Sequence, residues 1–256
     1  MTIPPSPSTL PYASLPRIEL NAFSADLCLR LRSGSHFILF GLRGSGKSTL
    51  LLDIQNHFRR MGVPCGLSPC TTGLPHIVDA LAQAYPDTDI APIGRRAAGA
   101  RLRNAADKNT GVLLLDHATG MTTAMLGYLR RLRGGVAGVL LVSDIDSPKE
   151  RERMRAWHAG TLSIRMPLES NQRLKKCLIQ AIRTSGKADI EPQGLRKLVL
   201  AARGRIGWVA ECTRRLSMKD YWTDDRLHVA ALCTDVELAL RAARLGPRVL
   251  FRPRRS

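Results

Sequence analysis

Two hydrophobic rhythms alternate along the first part of the chain. Leu20, Phe23, Leu27 and Leu31 recur at the three-to-four spacing of one helix face, predicting a helix over residues 18–31. After the turn Ser33-Gly34-Ser35 comes the run His36-Phe-Ile-Leu-Phe40. It is short, fully apolar after the histidine and cut off by glycines, as a strand buried on both faces would be. A helix is predicted from Lys47 to about Met61. Four more strands are expected at 64–70 (the weakest), 111–115, 136–142 and 161–166. Between them lie helical patterns at 74–85, 94–107, 120–133 and 148–158. Strands alternating with helices predict an α/β fold, a parallel sheet of about five strands covered on both faces.

After Pro167 the strand pattern stops. Helical periodicity continues over 168–184, 193–202, 206–217 and 225–245, which places a boundary at 167 and predicts a helical lid over 168–245. The α/β part then spans 17–167. Residues 1–16 hold five prolines and no periodicity and are expected to form an extended tail. The last segment, 246–256, carries Arg248, Arg252, Arg254 and Arg255 with two prolines and reads as a basic tail.

Charge changes the picture more than composition does. Lys and Arg number 39 against 21 acids, a formal charge of +18, which points to a polyanionic partner, most simply nucleic acid. The excess falls in clusters on predicted helices: Arg95, Arg96, Arg101 and Arg103; Arg130, Arg131 and Arg133; Arg173, Lys175 and Lys176; Arg214 and Arg215. Trp157, Trp208 and Trp222 are dispersed, so no stacking platform for single strands is visible and duplex is the favoured form. No apolar run reaches the length of a membrane span, the N-terminus has neither the basic start nor the apolar run of a secretory signal, and Cys28, Cys65, Cys70, Cys177, Cys212 and Cys233 form no Cys-x-x-Cys pair. Reduced, mostly buried thiols, no membrane attachment and a cytoplasmic location are the expectation.

The segment Gly41-Leu-Arg43-Gly44-Ser45-Gly46-Lys47-Ser48-Thr49 matches the phosphate-binding pattern G-x-x-x-x-G-K-[ST], with a predicted strand before it and a helix after it. The glycines let backbone approach phosphate where a Cβ would collide, and the loop N–H groups with the helix N-terminus face the anion. Lys47 is expected at the β and γ phosphates of ATP and Ser48 on Mg²⁺. The second acid of such a site belongs at the end of a neighbouring apolar strand, where Val112-Leu-Leu-Leu-Asp116 supplies Asp116 as the other metal-side ligand. The next residue is His117, where many such ATPases carry a water-orienting Glu; imidazole is a poorer match to that task, so hydrolysis is expected to be slow.

Taken together, the helix before the first strand, the loop at Gly41–Thr49, Asp116 and the helical region after the sheet resemble an AAA+ ATPase. Within that superfamily the chain resembles the bacterial transposition regulators TnsC, TniB and MuB and the ExeA-type ATPases. The similarity lies in Ile164-Arg-Met-Pro167-Leu168 before a charged helix and in Arg203-Gly-Arg205-Ile206 at the opening of a lid helix. The resemblance implies Ser143 as the sensor-1 residue, Arg205 as sensor 2, and one of Arg151, Arg153 and Arg155 as an arginine finger reaching a neighbouring subunit's ATP. It further implies a homo-oligomeric ring or filament gripping double-stranded DNA through its phosphates, with transposase or targeting proteins as partners. Two other classes stay open: a nucleotide switch acting on a protein, and a P-loop small-molecule kinase. The absence of a Leu-Ser-Gly-Gly motif counts against a transporter ATPase.

Overall fold

The computed structural model describes residues 18–88, 95–118, 120–132, 135–144, 148–155, 160–184, 190–216, 218–223 and 226–242. These fall into two compact units. One joins the described residues from Ile18 to Leu42 with those from Lys47 to Pro167, and the other joins Arg43–Gly46 with the described residues from Leu168 on. The expected tails at 1–16 and 246–256 lie outside the described residues.

In the first unit, helix α1 (Ile18–Arg32) leads into β1 (His36–Phe40), and α2 (Lys47–Arg60) into β2 (Cys65–Ser68). Then come α3 (Leu74–Ala84), α4 (Arg95–Lys108), β3 (Gly111–Leu115), α5 (Thr123–Arg131), β4 (Val136–Ser143), α6 (Pro148–Arg155) and β5 (Leu162–Arg165). The five strands form one sheet in the order β2-β3-β4-β1-β5, every pair parallel. Successive residues of the inner strands enter two separate cores, as the two-residue period of a strand requires. Phe37, Leu39, Val112, Leu114, Leu140 and Val142 pack with Leu27 and Leu31 of α1 and Leu50, Ile54 and Phe58 of α2. Ile38, Leu113, Leu115, Val139 and Leu141 face the other way, onto Ile77 and Leu81 of α3, Leu102 of α4 and Met125 and Leu129 of α5. These strands read as unbroken apolar runs because neither face meets water.

The second unit holds α7 (Asn171–Thr184), α8 (Pro192–Ala202), α9 (Ile206–Leu216) and α10 (Val229–Ala242). One core gathers their apolar stripes: Leu174, Cys177 and Leu178; Leu195, Leu198 and Val199; Trp208, Val209 and Cys212; Leu232 and Val236.

Several predicted boundaries move, each for a local reason. Pro64 and Pro69 bracket β2 and shorten it to four residues. The helix expected at 120–133 begins at Thr123, because Gly120 has φ 85° and the Thr122 hydroxyl caps the helix by accepting from Met125 N at 3.3 Å. Ser170 delays α7 in the same way, accepting from Arg173 N at 3.3 Å. The expectation that strands end at Pro167 is corrected by a short antiparallel hairpin, β6 (Trp222–Thr223) with β7 (Arg226–Leu227), which takes the first residues assigned to the last helix. Four of the six cysteines are buried and all are free; burial pushes the Cys65 thiol up to about 12, far from thiolate reactivity. None of the described helices is long and apolar enough to cross a membrane.

Candidate nucleotide site

Because the strands run parallel, their C-terminal ends share one edge of the sheet, the usual location of ligand sites in such folds. The strand order sets what meets there. β4 lies between β3 and β1, so the residues that follow it stand between those that follow β3 and those that follow β1. Gly41 and Leu42 leave β1, Asp116 and His117 leave β3, Ser143 and Asp144 close β4, and Lys47 and Ser48 open α2.

Lys47 is buried, and its ammonium donates to Gly41 O at 2.8 Å and Leu42 O at 3.0 Å. Its third partner is Asp144, with Nζ 2.8 Å from Oδ1. Ser48 Oγ donates to Asp116 Oδ2 at 2.6 Å. Asp116 is 3% exposed, and its backbone is pinned on both sides: its N–H donates to Ser68 O, and its carbonyl accepts from Thr71 N. Its Oδ1 accepts from the backbone N–H of His117 at 2.8 Å. A hydroxyl and a carboxylate in contact are the oxygen donors that Mg²⁺ takes from protein when phosphates and water complete its shell, so Ser48 and Asp116 fit that ion. Ser143 is buried at the end of β4 and pairs in register with Phe40, the last residue of β1.

His117 adopts φ 47°, a left-handed backbone uncommon outside glycine. Its Nδ1 lies 3.5 Å from Asp144 Oδ2. The Asp144 carboxylate pulls the imidazole pKa up against the opposing effect of burial. Burial pushes the Asp144 carboxyl up in turn, but His117 and Lys47 outweigh it and hold the group well below the usual carboxylate range.

The rest of the loop, Arg43–Gly46, clusters with the helical unit. Gly44 and Gly46 take φ values of 75° and 94°, the reason glycine stands at both positions. Gly207 N donates to Gly44 O, and Arg43 donates to the carbonyls of Leu240 and Arg241 at the end of α10. Ser45 is 3% exposed and its Oγ has no hydrogen-bond partner. A buried hydroxyl left unsatisfied in a glycine-rich loop fits a phosphate oxygen as its missing partner. Thr49 is exposed on α2.

The architecture is similar to domain III of the replication initiation protein DnaA from Thermotoga maritima, with a TM-score of 0.50 and 13% identity over 90% of this chain and 92% of that one. The fold is a P-loop α/β fold with a helical C-terminal part. AMPPCP-bound DnaA from Aquifex aeolicus aligns at TM-score 0.47 and 16% identity over 87% of this chain and 64% of that one. PCH-2 from C. elegans aligns at 0.47 and 13%, over 89% and 69%. No protein-family model matches the sequence. No curated protein matches it either.

The other residues expected from the AAA+ resemblance are placed as follows. Arg153 and Arg155 are exposed on α6, and the side chain of Arg151 lies outside the described residues. Arg205 is buried; its guanidinium donates to Ala201 O and Ala202 O at the end of α8 and forms an ion pair with Glu237 of α10. Glu237 is held below the usual carboxylate range chiefly by this arginine. Glu237→Ala would leave a buried guanidinium without its counter-charge. Since Glu237 itself is partly exposed, we expect a loss of about 2 kcal/mol in a urea denaturation of the full chain. An unchanged midpoint would show that Arg205 does not depend on this pair.

Sequence reasoning missed Asp144 and Glu237. Asp144 directly follows the predicted sensor serine, but its meaning depends on β4 lying beside β1, which no local pattern reveals. Glu237 meets Arg205 from another helix, 32 residues away.

Basic side chains are exposed on several helices: Arg101 on α4, Arg130 and Arg131 on α5, Lys175 and Lys176 on α7, and Arg214 on α9. Tyr128 of α5 donates its hydroxyl to Gly99 O of α4, and its ring lies 5.9 Å from the Arg131 guanidinium carbon. On α9, Glu211 neutralises part of the cluster by pairing with both Arg214 and Arg215. The side chains of Arg95, Arg96 and Arg133 lie outside the described residues.

Proposed function

We propose that this chain binds Mg²⁺-ATP at Gly41–Thr49, hydrolyses it slowly, and assembles in its ATP-bound form along double-stranded DNA as a homo-oligomeric ring or filament. The observation that carries the nucleotide part is the arrangement of Lys47 beside the Ser48–Asp116 pair at the sheet edge. In the ATP complex the loop N–H groups and Lys47 bind the phosphates, and Ser48 and Asp116 hold the cation, which neutralises phosphate charge. Ser143 is the polar group that faces the terminal phosphate. His117 takes the position of the water-orienting carboxylate, and an imidazole there supports slow turnover and use of ATP as a switch. Arg205 serves as a sensor only if its guanidinium leaves Glu237. One of Arg151, Arg153 and Arg155 completes a neighbouring protomer's site.

The DNA part rests on the charge of +18 and on basic groups exposed on helices of both units. Contacts of this kind grip phosphates and carry little sequence information. The finer reading, a regulator of transposition or target selection meeting a transposase or targeting protein, rests on the likeness to TnsC, TniB, MuB and ExeA-type proteins at Ile164–Leu168 and Arg203–Ile206.

Fluorescence anisotropy on unrelated duplexes, over a salt series and with or without a non-hydrolysable ATP analogue, tests this reading. Affinity should be indifferent to sequence, and log K should fall with log salt by about 0.9 for each phosphate neutralised. The analogue should tighten binding, because assembly aligns many basic surfaces on one duplex. No binding at low salt in either state would move the protein to the switch or kinase class.

A further inference from the structure

The ammonium of Lys47 has three N–H donors, and the structure gives all three an acceptor. Two acceptors are neutral carbonyls at the root of the loop, Gly41 O and Leu42 O. The third, Asp144, alone carries charge. With side-chain exposures of 5% for Lys47 and 12% for Asp144, water screens the pair little. The second carboxylate oxygen of Asp144 faces His117. Asp144 is therefore held from two sides at the sheet edge, as an anion, at charge-assisted hydrogen-bonding distance from the lysine that phosphate must reach.

We propose that Asp144 stands in for phosphate on Lys47 in the nucleotide-free protein, and that incoming nucleotide must displace it. This rests on the nucleotide-binding reading above. A phosphate oxygen offers Lys47 the same chemistry as the Asp144 carboxylate, an anionic acceptor, so the two compete for one donor. Displacement does not remove Asp144 from the site, because its other oxygen keeps His117 as a partner. The carboxylate stays close to the phosphate that replaced it, and the like charges repel. That repulsion grows with the charge of the phosphate chain, so it opposes a triphosphate more than a diphosphate. Asp144 thus lowers the apparent affinity for both nucleotides and narrows the preference for ATP over ADP. If the Lys47–Asp144 pair is closed in nine-tenths of the free protein, the apparent Kd is about tenfold weaker than the intrinsic one.

The test is titration calorimetry of the full chain with Mg²⁺ and either a non-hydrolysable ATP analogue or ADP, comparing wild type with Asp144→Asn and Asp144→Ser. Both substitutions remove the charge, and the asparagine keeps the shape. The expected result is about tenfold tighter binding of ADP and a larger gain, on the order of thirtyfold, for the analogue, with both variants still folded. A residue serving only the fold would not tighten binding when neutralised. Unchanged or weaker affinity in both folded variants would overturn the proposal; equal gains for the two nucleotides would support displacement and overturn the charge-dependent repulsion. Loss of the fold in both would also overturn the proposal, since the pair would then be a structural requirement and no competitor. If wild type and variants alike bound neither nucleotide, the nucleotide-site reading itself would fall. Binding by wild type with no gain in the variants removes only the role given to Asp144.

Discussion

Lys47→Ala should leave a folded protein that has lost most of its affinity for ATP. Lys47 supplies the side-chain ammonium at the first turn of α2, where the proposed site puts the β and γ phosphates. Each charge-assisted hydrogen bond to phosphate is worth about 1.5–3 kcal/mol, so removing two of them weakens binding by on the order of a hundred- to ten-thousandfold. The fold should survive. The lysine's other contacts are the carbonyls of its own loop and Asp144, which retains His117. Calorimetry with Mg²⁺-ATP, alongside a thermal melt, reads both quantities. A Kd equal to that of wild type would show that phosphate does not bind at this loop.

Gly66→Ala should be among the most destabilising single changes in the sheet unit. Gly66 lies within β2, where a Cβ would sit 1.8 Å from Ala80 O and 2.6 Å from Ala80 C. Both atoms are backbone of α3, so no side chain can turn aside; the helix must retreat from the sheet. Ile77 and Leu81 of that helix are fully buried, and moving it opens the core around them. A loss of about 3–5 kcal/mol is expected. The effect should reach the site as well, because Ser68, two residues on, accepts from the backbone N–H of Asp116. Gly127→Ala is the matching control. It lies in α5 with only the tip of Arg131 near at 3.9 Å, so alanine there should be neutral or stabilising by up to about 1 kcal/mol. Urea denaturation of the three proteins provides the comparison, and equal stability of Gly66→Ala and wild type would contradict the packing described.

These positions also show what could be read in advance. The alternation of strands and helices was legible because double-sided burial makes each inner strand a continuous apolar run, as at Val112–Leu115. The glycine-rich loop at Gly41–Ser48 was legible because its pattern is contiguous and its glycines are needed for backbone reasons. Asp116 followed from the loop, being an acid at the end of such a run. The β6–β7 hairpin was not legible, since two-residue strands carry no periodicity. The setting of Arg205 was hidden for a different reason: a basic residue opening a helix reads the same whether it faces a ligand or a glutamate on another helix. Asp144 required the strand order, which is a property of the whole sheet and of no segment within it.

The two outer strands of that sheet, β2 and β5, are its shortest, with four residues each, whereas β4 between them has eight. A sheet border offers unpaired N–H and C=O groups to any extended chain that meets it, and short borders offer few. Recruitment of a foreign strand onto this sheet is therefore weakly templated. Crowding many copies together, as a filament would, carries little risk of border-to-border fusion. The sheet border is therefore a poor template for a cross-β fibre.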